Sequence, residues 1–403
     1  MKTSISIDMQ HLEERRSFAN EIALKQLISS GRVSVIYIHG TARSGSTIAE
    51  IIISKIADFA IHQPFRGTLQ KQGGRFRSQK AELDADIYDS ACGLIAEQIS
   101  SYLLERDRIT VVIKELAGFF KPDIWQRWLE IPQQFLFTIR DPHLQYMSWL
   151  SAMTDKIFAG AGKLQEKRDF VLEQAAITES SILSAEWEGT TISCNRLAWN
   201  AVVEDYERVK QAIVGTSKKL VVLDSLLLRY KPRYAVSRMF DKLDFPSEKW
   251  SQLDLNSLGE SQAKIRDIRD KSRPMVRKAN NSRKVAPLVS GEAVNLDIFP
   301  SKSQEHIRQI IPLYLDLLYA SEQAYLPTLD ELESIQSPSL VATHPFIGYA
   351  IAMKHFQSKS KLDPNSISSW LNFVVTNRTE SQIKDWRSFS NSLEIVDSYW
   401  KNK

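Results

Sequence analysis

The stretch YIHGTARSGSTIAE, Tyr37 to Glu50, decides the reading of this chain. It begins inside VSVIYIHG (33–40), a short apolar run rich in β-branched residues and closed by Gly, which is the pattern of a buried strand. STIAEIIISKIADFA (46–60) then reads as a helix, with apolar residues at 48, 51, 52, 53, 56 and 57. Gly40 and Gly45 bracket four residues between them, the spacing of a phosphate loop. Such a loop turns backbone N–H groups inward at a helix N-terminus, where the partial positive charge favours an anion. Ser44, Ser46 and Thr47 add hydroxyl groups. In ATPases and kinases the second Gly is followed by a Lys that reaches the β- and γ-phosphates. Here Ser46-Thr47 follows it, and the cation has moved upstream to Arg43. That change argues against γ-phosphoryl chemistry. It suits a donor with one 5′-phosphate and a single transferable group, which needs a cradle and a nearby cation but no metal clamp.

Working outward, ITVVIKE (109–115), QFLFTIRDP (134–142) and KKLVVLDSL (218–226) are three more buried strands. Helical patterns fill the gaps, as in NRLAWNAVVEDYERVKQAI (195–213). Strands alternating with helices predict an α/β fold: a P-loop-type central parallel sheet flanked by helices. Residues 1–30, with helical spacing over 9–30, form an amphipathic N-terminal helix packed on this core, residues 31–323 form the main domain, and 324–403 form a C-terminal helical extension. Residues 261–287 are basic and poor in large apolar side chains, either a mobile flap or a linker, and 303–323 is helical again.

Composition bounds the function. With 403 residues, 43% hydrophobic and 25% charged, the chain has the balance of a globular protein of one large domain plus an appendage. A net charge of +4 is too weak for a nucleic-acid footprint and suits a small anion. Cys92 and Cys194 are too few and too far apart for a disulfide framework or metal site. His344 and His355 have no partners at ligand spacing, so no metal is expected. The N-terminal stretch is charged where a signal peptide needs an apolar core, and no apolar run has the length of a membrane span. These features predict a cytoplasmic protein with no membrane or nucleic-acid partner.

FLFTIRDPHLQYMSWL (135–150) supplies a second element. Arg140 follows a strand in the same sheet, so it points into the ligand crevice. Ser148 lies about two turns into the next helix. Arg140 and Ser148 can jointly hold a second phosphate.

With both elements in hand, the chain resembles the sulfotransferase family that uses 3′-phosphoadenosine-5′-phosphosulfate (PAPS). ARSGST (42–47) is similar to the family's loop for the 5′-phosphosulfate, and Arg140 with Ser148 has the spacing of its 3′-phosphate motif. IHQPF (61–65), VVIKELAGFF (111–120), LVVLDSLLLRYKP (220–232) and FDKLDFP (240–246) are similar to further family segments, so the resemblance runs from about 33 to 250. It implies that Arg43 touches the transferring sulfuryl group and that Ser44, Gly45, Ser46 and Thr47 cradle the 5′-phosphate. It implies that Lys114 lies near the sulfuryl oxygens. In VRKANNSRK (276–284), Arg277 and Lys278 correspond to a family element that closes over the 3′-phosphate, without its glycine.

The chain departs from the family at the general base. Where relatives have His after the second strand, this chain reads Leu116, Ala117, Gly118, Phe119; where others have Glu after the first helix, it has Gln63. His62 and Glu115 are the replacements nearby, each also readable as a hydrogen-bonded or ion-paired structural residue. His39 only orients the loop. An amine or guanidine acceptor that needs little base assistance is the third option. Trp125, Trp128, Trp149, Trp187 and Trp199 read as core, and RGTLQKQGGRFRSQK (66–80) as a solvated loop or an acceptor-side lid. The expected activity is sulfuryl transfer from PAPS to a hydroxyl, amine or guanidine of a small molecule. The alternatives are an atypical P-loop kinase, for which Asp224 is the available carboxylate, and a non-catalytic nucleotide-binding relative.

Overall fold

The computed structural model describes residues 18–71, 83–116, 120–140, 182–187, 190–195, 206–208, 218–230, 232–256 and 265–267, with Gln145, Ser148, Leu258, Ile310, Leu313, Tyr314 and Leu317 as single positions. In chain order the elements are α1 (Ala19–Ser29), β1 (Val33–Gly40), α2 (Ser46–Ser54), β2 (Phe59–His62), α3 (Pro64–Lys71), α4 (Ala85–Leu103), β3 (Ile109–Leu116), α5 (Pro122–Leu129), β4 (Gln134–Ile139), β5 (Ile182–Trp187), β6 (Thr190–Asn195), β7 (Lys219–Asp224), α6 (Ser225–Tyr230), α7 (Pro232–Lys242), α8 (Ser247–Trp250) and β8 (Ile265–Asp267).

Six strands form one sheet in the order β7-β4-β1-β3-β2-β8, and every pairing in it is parallel. The four strands expected from sequence are there as β1, β3, β4 and β7. β5 and β6 make a separate antiparallel pair. The chain leaves β1 for β2, returns through β3, then crosses to β4 on the other side of β1. That reversal puts a crevice at the carboxyl ends of β1, β3 and β4, where ligands of open parallel sheets bind.

Side chains alternate across the sheet, and each face has its own core. Val35, Tyr37, Phe59, Ile61, Val111, Ile113, Phe135 and Phe137 face the side covered by α1, α3, α4 and α5. Ile36, Ile38, Ala60, Val112, Leu136, Val221 and Leu223 face the side covered by α2, α6, α7 and α8. Trp125 and Trp128 lie fully in the first core, as expected. Among the described residues, no helix is long and apolar enough to cross a membrane.

Three expectations are corrected. The helix read over 46–60 stops at Ser54, and 59–62 is strand β2. The apolar run is continuous in sequence, but Asp58 breaks it by pairing with β3: its N–H donates to Thr110 O (3.0 Å) and its carboxylate accepts from Thr110 N (2.8 Å). The basic loop read from 66 starts as a helix, because Pro64 presets its first turn and Phe65 and Leu69 are buried beneath it. The basic stretch 261–287 contains β8, an edge strand whose Ile265 aligns with Ala60 of β2. Of the helices expected at 9–30, 195–213 and 303–323, residues 19–29, 206–208, 310, 313, 314 and 317 are helical. The extension 324–403 lies outside the described residues.

Candidate functional site

Gly40 ends β1 where nothing larger fits. A Cβ there would lie 2.3 Å from Thr138 Oγ1, 2.7 Å from Ser44 Oγ and 2.8 Å from Ser46 Cβ. Gly45 has φ +93°, a left-handed conformation that glycine adopts without strain, and packs against Ser225 at the head of α6. Ser44 braces the turn between them: its N–H and its hydroxyl both donate to Thr41 O (3.2 and 2.9 Å), and its oxygen lies 2.7 Å from Thr138 Oγ1. The hydroxyl proton of Ser44 is thus directed into the loop itself rather than toward a ligand. Gln145, fully buried, donates from Nε2 to Thr41 Oγ1 and Ala42 O, both at 2.7 Å. It ties the loop to the helical segment that follows β4.

The loop opens into α2 with no side-chain cap on Gly45 and no acidic residue in the first turn. The first helical bond runs from Ala49 N to Gly45 O (3.1 Å), so the amides of Ser46, Thr47 and Ile48 precede the ladder. Ser46 is buried and Thr47 partly exposed. This is a concentrated patch of N–H donors at the positive end of a helix.

Two arginines converge on it. Arg43 has φ +70°, an unusual conformation for a residue with a side chain, typical of strained functional loops. Its Nε donates to Ser148 Oγ (3.1 Å). Arg140 donates from Nη1 to Arg43 O (3.3 Å), and Tyr206 holds the Arg140 backbone by donating its hydroxyl to the carbonyl (3.1 Å). The two sequence motifs therefore meet in one cluster, in which Ser148 contacts Arg43. Burial pushes the Arg43 guanidinium below its ordinary pKa. Among the described residues, no carboxylate forms an ion pair with Arg43.

Residues 114 and 115 end β3 on opposite faces. Lys114 aligns with His62 of β2 and continues the α2-facing row of Val112. There the His62 Nδ1 contacts the Glu50 carboxylate of α2. Glu50, His62 and Lys114 are 0%, 2% and 2% exposed. Glu115 aligns with His39 and continues the row of Ile113 on the other face. Its two oxygens accept from Arg66 N (3.1 Å) and Leu116 N (2.9 Å), so it caps the first turn of α3 from β3. Burial raises its carboxyl to about 7. Burial, reinforced by Arg208, lowers His39 to about 3, so it is neutral; its Nδ1 lies 3.2 Å from Tyr37 Oη and its ring 4.7 Å from that of Trp125.

The carboxylate of Asp224 accepts from Leu227 N (3.3 Å) and caps α6. Arg277 and Lys278 lie outside the described residues. Sequence reading missed Glu50, Thr138, Gln145 and Tyr206. Glu50 carried one visible signal, a lone carboxylate in the apolar run IAEIII.

No family model matches the chain, and no curated protein matches it. Among solved structures it is similar to the sulfotransferase domain from the curacin biosynthetic pathway, at 13% identity over 70% of this chain and 98% of that one, with a TM-score of 0.32. It is also similar to mouse sulfotransferase SULT7A1 complexed with PAP, at 10% identity over 73% of this chain and 89% of that one, with a TM-score of 0.34. Both scores are low, and the sheet and loop of this chain carry the reading by themselves.

Proposed function

We propose that this chain is a PAPS-dependent sulfotransferase acting on a hydroxyl, amine or guanidine of a small molecule. One observation carries the reading: a half-buried Arg43 with no carboxylate ion pair among the described residues stands beside the uncapped N-terminus of α2. A partly desolvated cation without a counter-charge is unfavourable, and a bound anion offsets that cost. The amides of Ser46, Thr47 and Ile48, which precede the helical hydrogen-bond ladder, are the donors a phosphate would take.

In this reading the amides of Ser46 and Thr47, with their hydroxyls, hold the 5′-phosphate. Arg43 lies over the sulfuryl group and the 5′-phosphate that carries it, and Arg140 with Ser148 takes the 3′-phosphate. Gly45 gives the approach, and Ser44 keeps the loop closed from within. Lys114 is the second cation at the reacting centre. Arg277 and Lys278 close over the donor. PAPS supplies an activated sulfuryl group. The protein holds the acceptor in line, takes its proton and stabilises charge on the departing phosphate. Of the two base candidates, His62 is favoured. Both oxygens of Glu115 are engaged by backbone amides, which makes it a structural cap.

The test is incubation with labelled PAPS, and separately with labelled ATP and Mg²⁺, against a metabolite extract. Sulfate transfer from PAPS supports the proposal. Phosphate transfer from ATP, or tight binding of adenosine 3′,5′-bisphosphate without turnover, overturns it in favour of a kinase or a non-catalytic binder.

A further inference from the structure

We infer that Glu50 is a positioning residue for His62, holding the imidazole so that Nδ1 carries the proton and Nε2 takes the proton of the sulfate acceptor. This rests on the sulfotransferase reading. The contact itself does not: His62 Nδ1 meets the Glu50 carboxylate beneath α2, and both side chains are buried. A carboxylate sits poorly among Ala49, Ile51, Ile52 and Ile53, all buried. A well-packed apolar pair would hold α2 on β2 at least as well, since buried ion pairs often add little to stability. A carboxylate at this point instead fixes a tautomer, because an acceptor on Nδ1–H leaves the lone pair on Nε2.

The charges around the pair fit that role. Lys114 aligns with His62 from β3. A cation beside His62 opposes formation of an imidazolium, and the Glu50 carboxylate offsets that opposition. Glu50 also lies on the helix whose first turn is the proposed phosphate cradle, so donor and base are placed by one rigid element. In the step, the acceptor X–H gives its proton to Nε2 as the X–S bond forms. The S–O bond to the 5′-phosphate breaks, and its electron pair leaves on the phosphate oxygen. The imidazolium then returns its proton to solvent.

The test combines kinetics with ¹⁵N-histidine NMR. For the wild type, the His62 resonances should report protonated Nδ1 and unprotonated Nε2; the opposite tautomer overturns the inference without any variant. Glu50→Gln should lower kcat by tenfold or more, toward the ~10²–10⁴-fold expected for loss of the base itself. KM for PAPS and affinity for adenosine 3′,5′-bisphosphate should stay near wild type. Adding Glu50→Gln to His62→Ala should cost nothing further, whereas an equal further loss overturns the inference. A Glu50→Gln protein with normal kcat and lowered Tm would make the pair a structural stitch, which also overturns it. Wild-type protein that neither binds the bisphosphate nor transfers sulfate would defeat the sulfotransferase reading instead, while the tautomer remains measurable.

Discussion

The two faces of the sheet treat their buried ionisable groups in opposite ways at the same strand ends. On the α2 face, Glu50 meets His62 of β2, with Lys114 aligned on β3, the strand next to the one that feeds the phosphate loop. On the other face, Glu115 spends both oxygens on backbone amides, and His39 is held neutral between Tyr37 and Trp125. Residues 114 and 115 are adjacent in sequence, yet pleating puts one beside the His62–Glu50 pair and the other at the helix it caps. Burial and a shifted pKa therefore do not mark a catalytic group by themselves. What the side chain's atoms are already bonded to decides the matter.

The sharpest way to break this contrast is to remove one titratable group from each face. His62→Ala should lower kcat by about 10²–10⁴, while Glu115→Gln should leave kcat near wild type; steady-state kinetics with labelled PAPS reads both. Arg43→Ala should cost roughly 10²–10³ in kcat, the usual effect of deleting one group that stabilises developing charge. Arg140→Ala should act mainly on KM for PAPS.

Glu115 should instead show itself in stability. Its carboxyl is raised from 4.5 to about 7 in the folded protein, so the unfolded chain loses the proton first as pH rises. The fold then loses about 3 kcal/mol of this group's contribution between those pH values. That contribution is fully present below about pH 4.5 and gone above about 7. Thermal melts across this range should flatten in Glu115→Gln. The smallest effect is expected from Asp224→Asn, since Asn caps a helix about as well as Asp. Transfer should be unchanged, whereas a magnesium-dependent kinase using this carboxylate would lose activity.

The central strands were legible because each is a β-branched, apolar run buried on both faces. β2 was hidden because FAIH continues the apolar spacing of α2, and only the pairing of Asp58 with Thr110 separates them. α3 was hidden by Gly-containing polar sequence although its Phe65 and Leu69 are buried, and β8 was hidden by basic sequence that becomes a strand by pairing along the edge of β2. At the site, spacing singled out Gly40, Arg43, Gly45, Arg140 and Ser148, and the fold brings Arg43, Arg140 and Ser148 into one cluster. Spacing gives distance along a helix but not the direction its face takes, so it did not show the contact between Ser148 and Arg43. It also could not tell that the Ser44 hydroxyl turns inward.

Calorimetric titration of adenosine 3′,5′-bisphosphate into the wild type and Arg43→Ala goes to the root of the proposal. Saturable one-site binding to the wild type, weakened at least about tenfold (about 1.4 kcal/mol) in the variant, is the expected result. Absence of binding to the wild type, or equal affinity in both proteins, would contradict an anion site built from Arg43 and the first turn of α2.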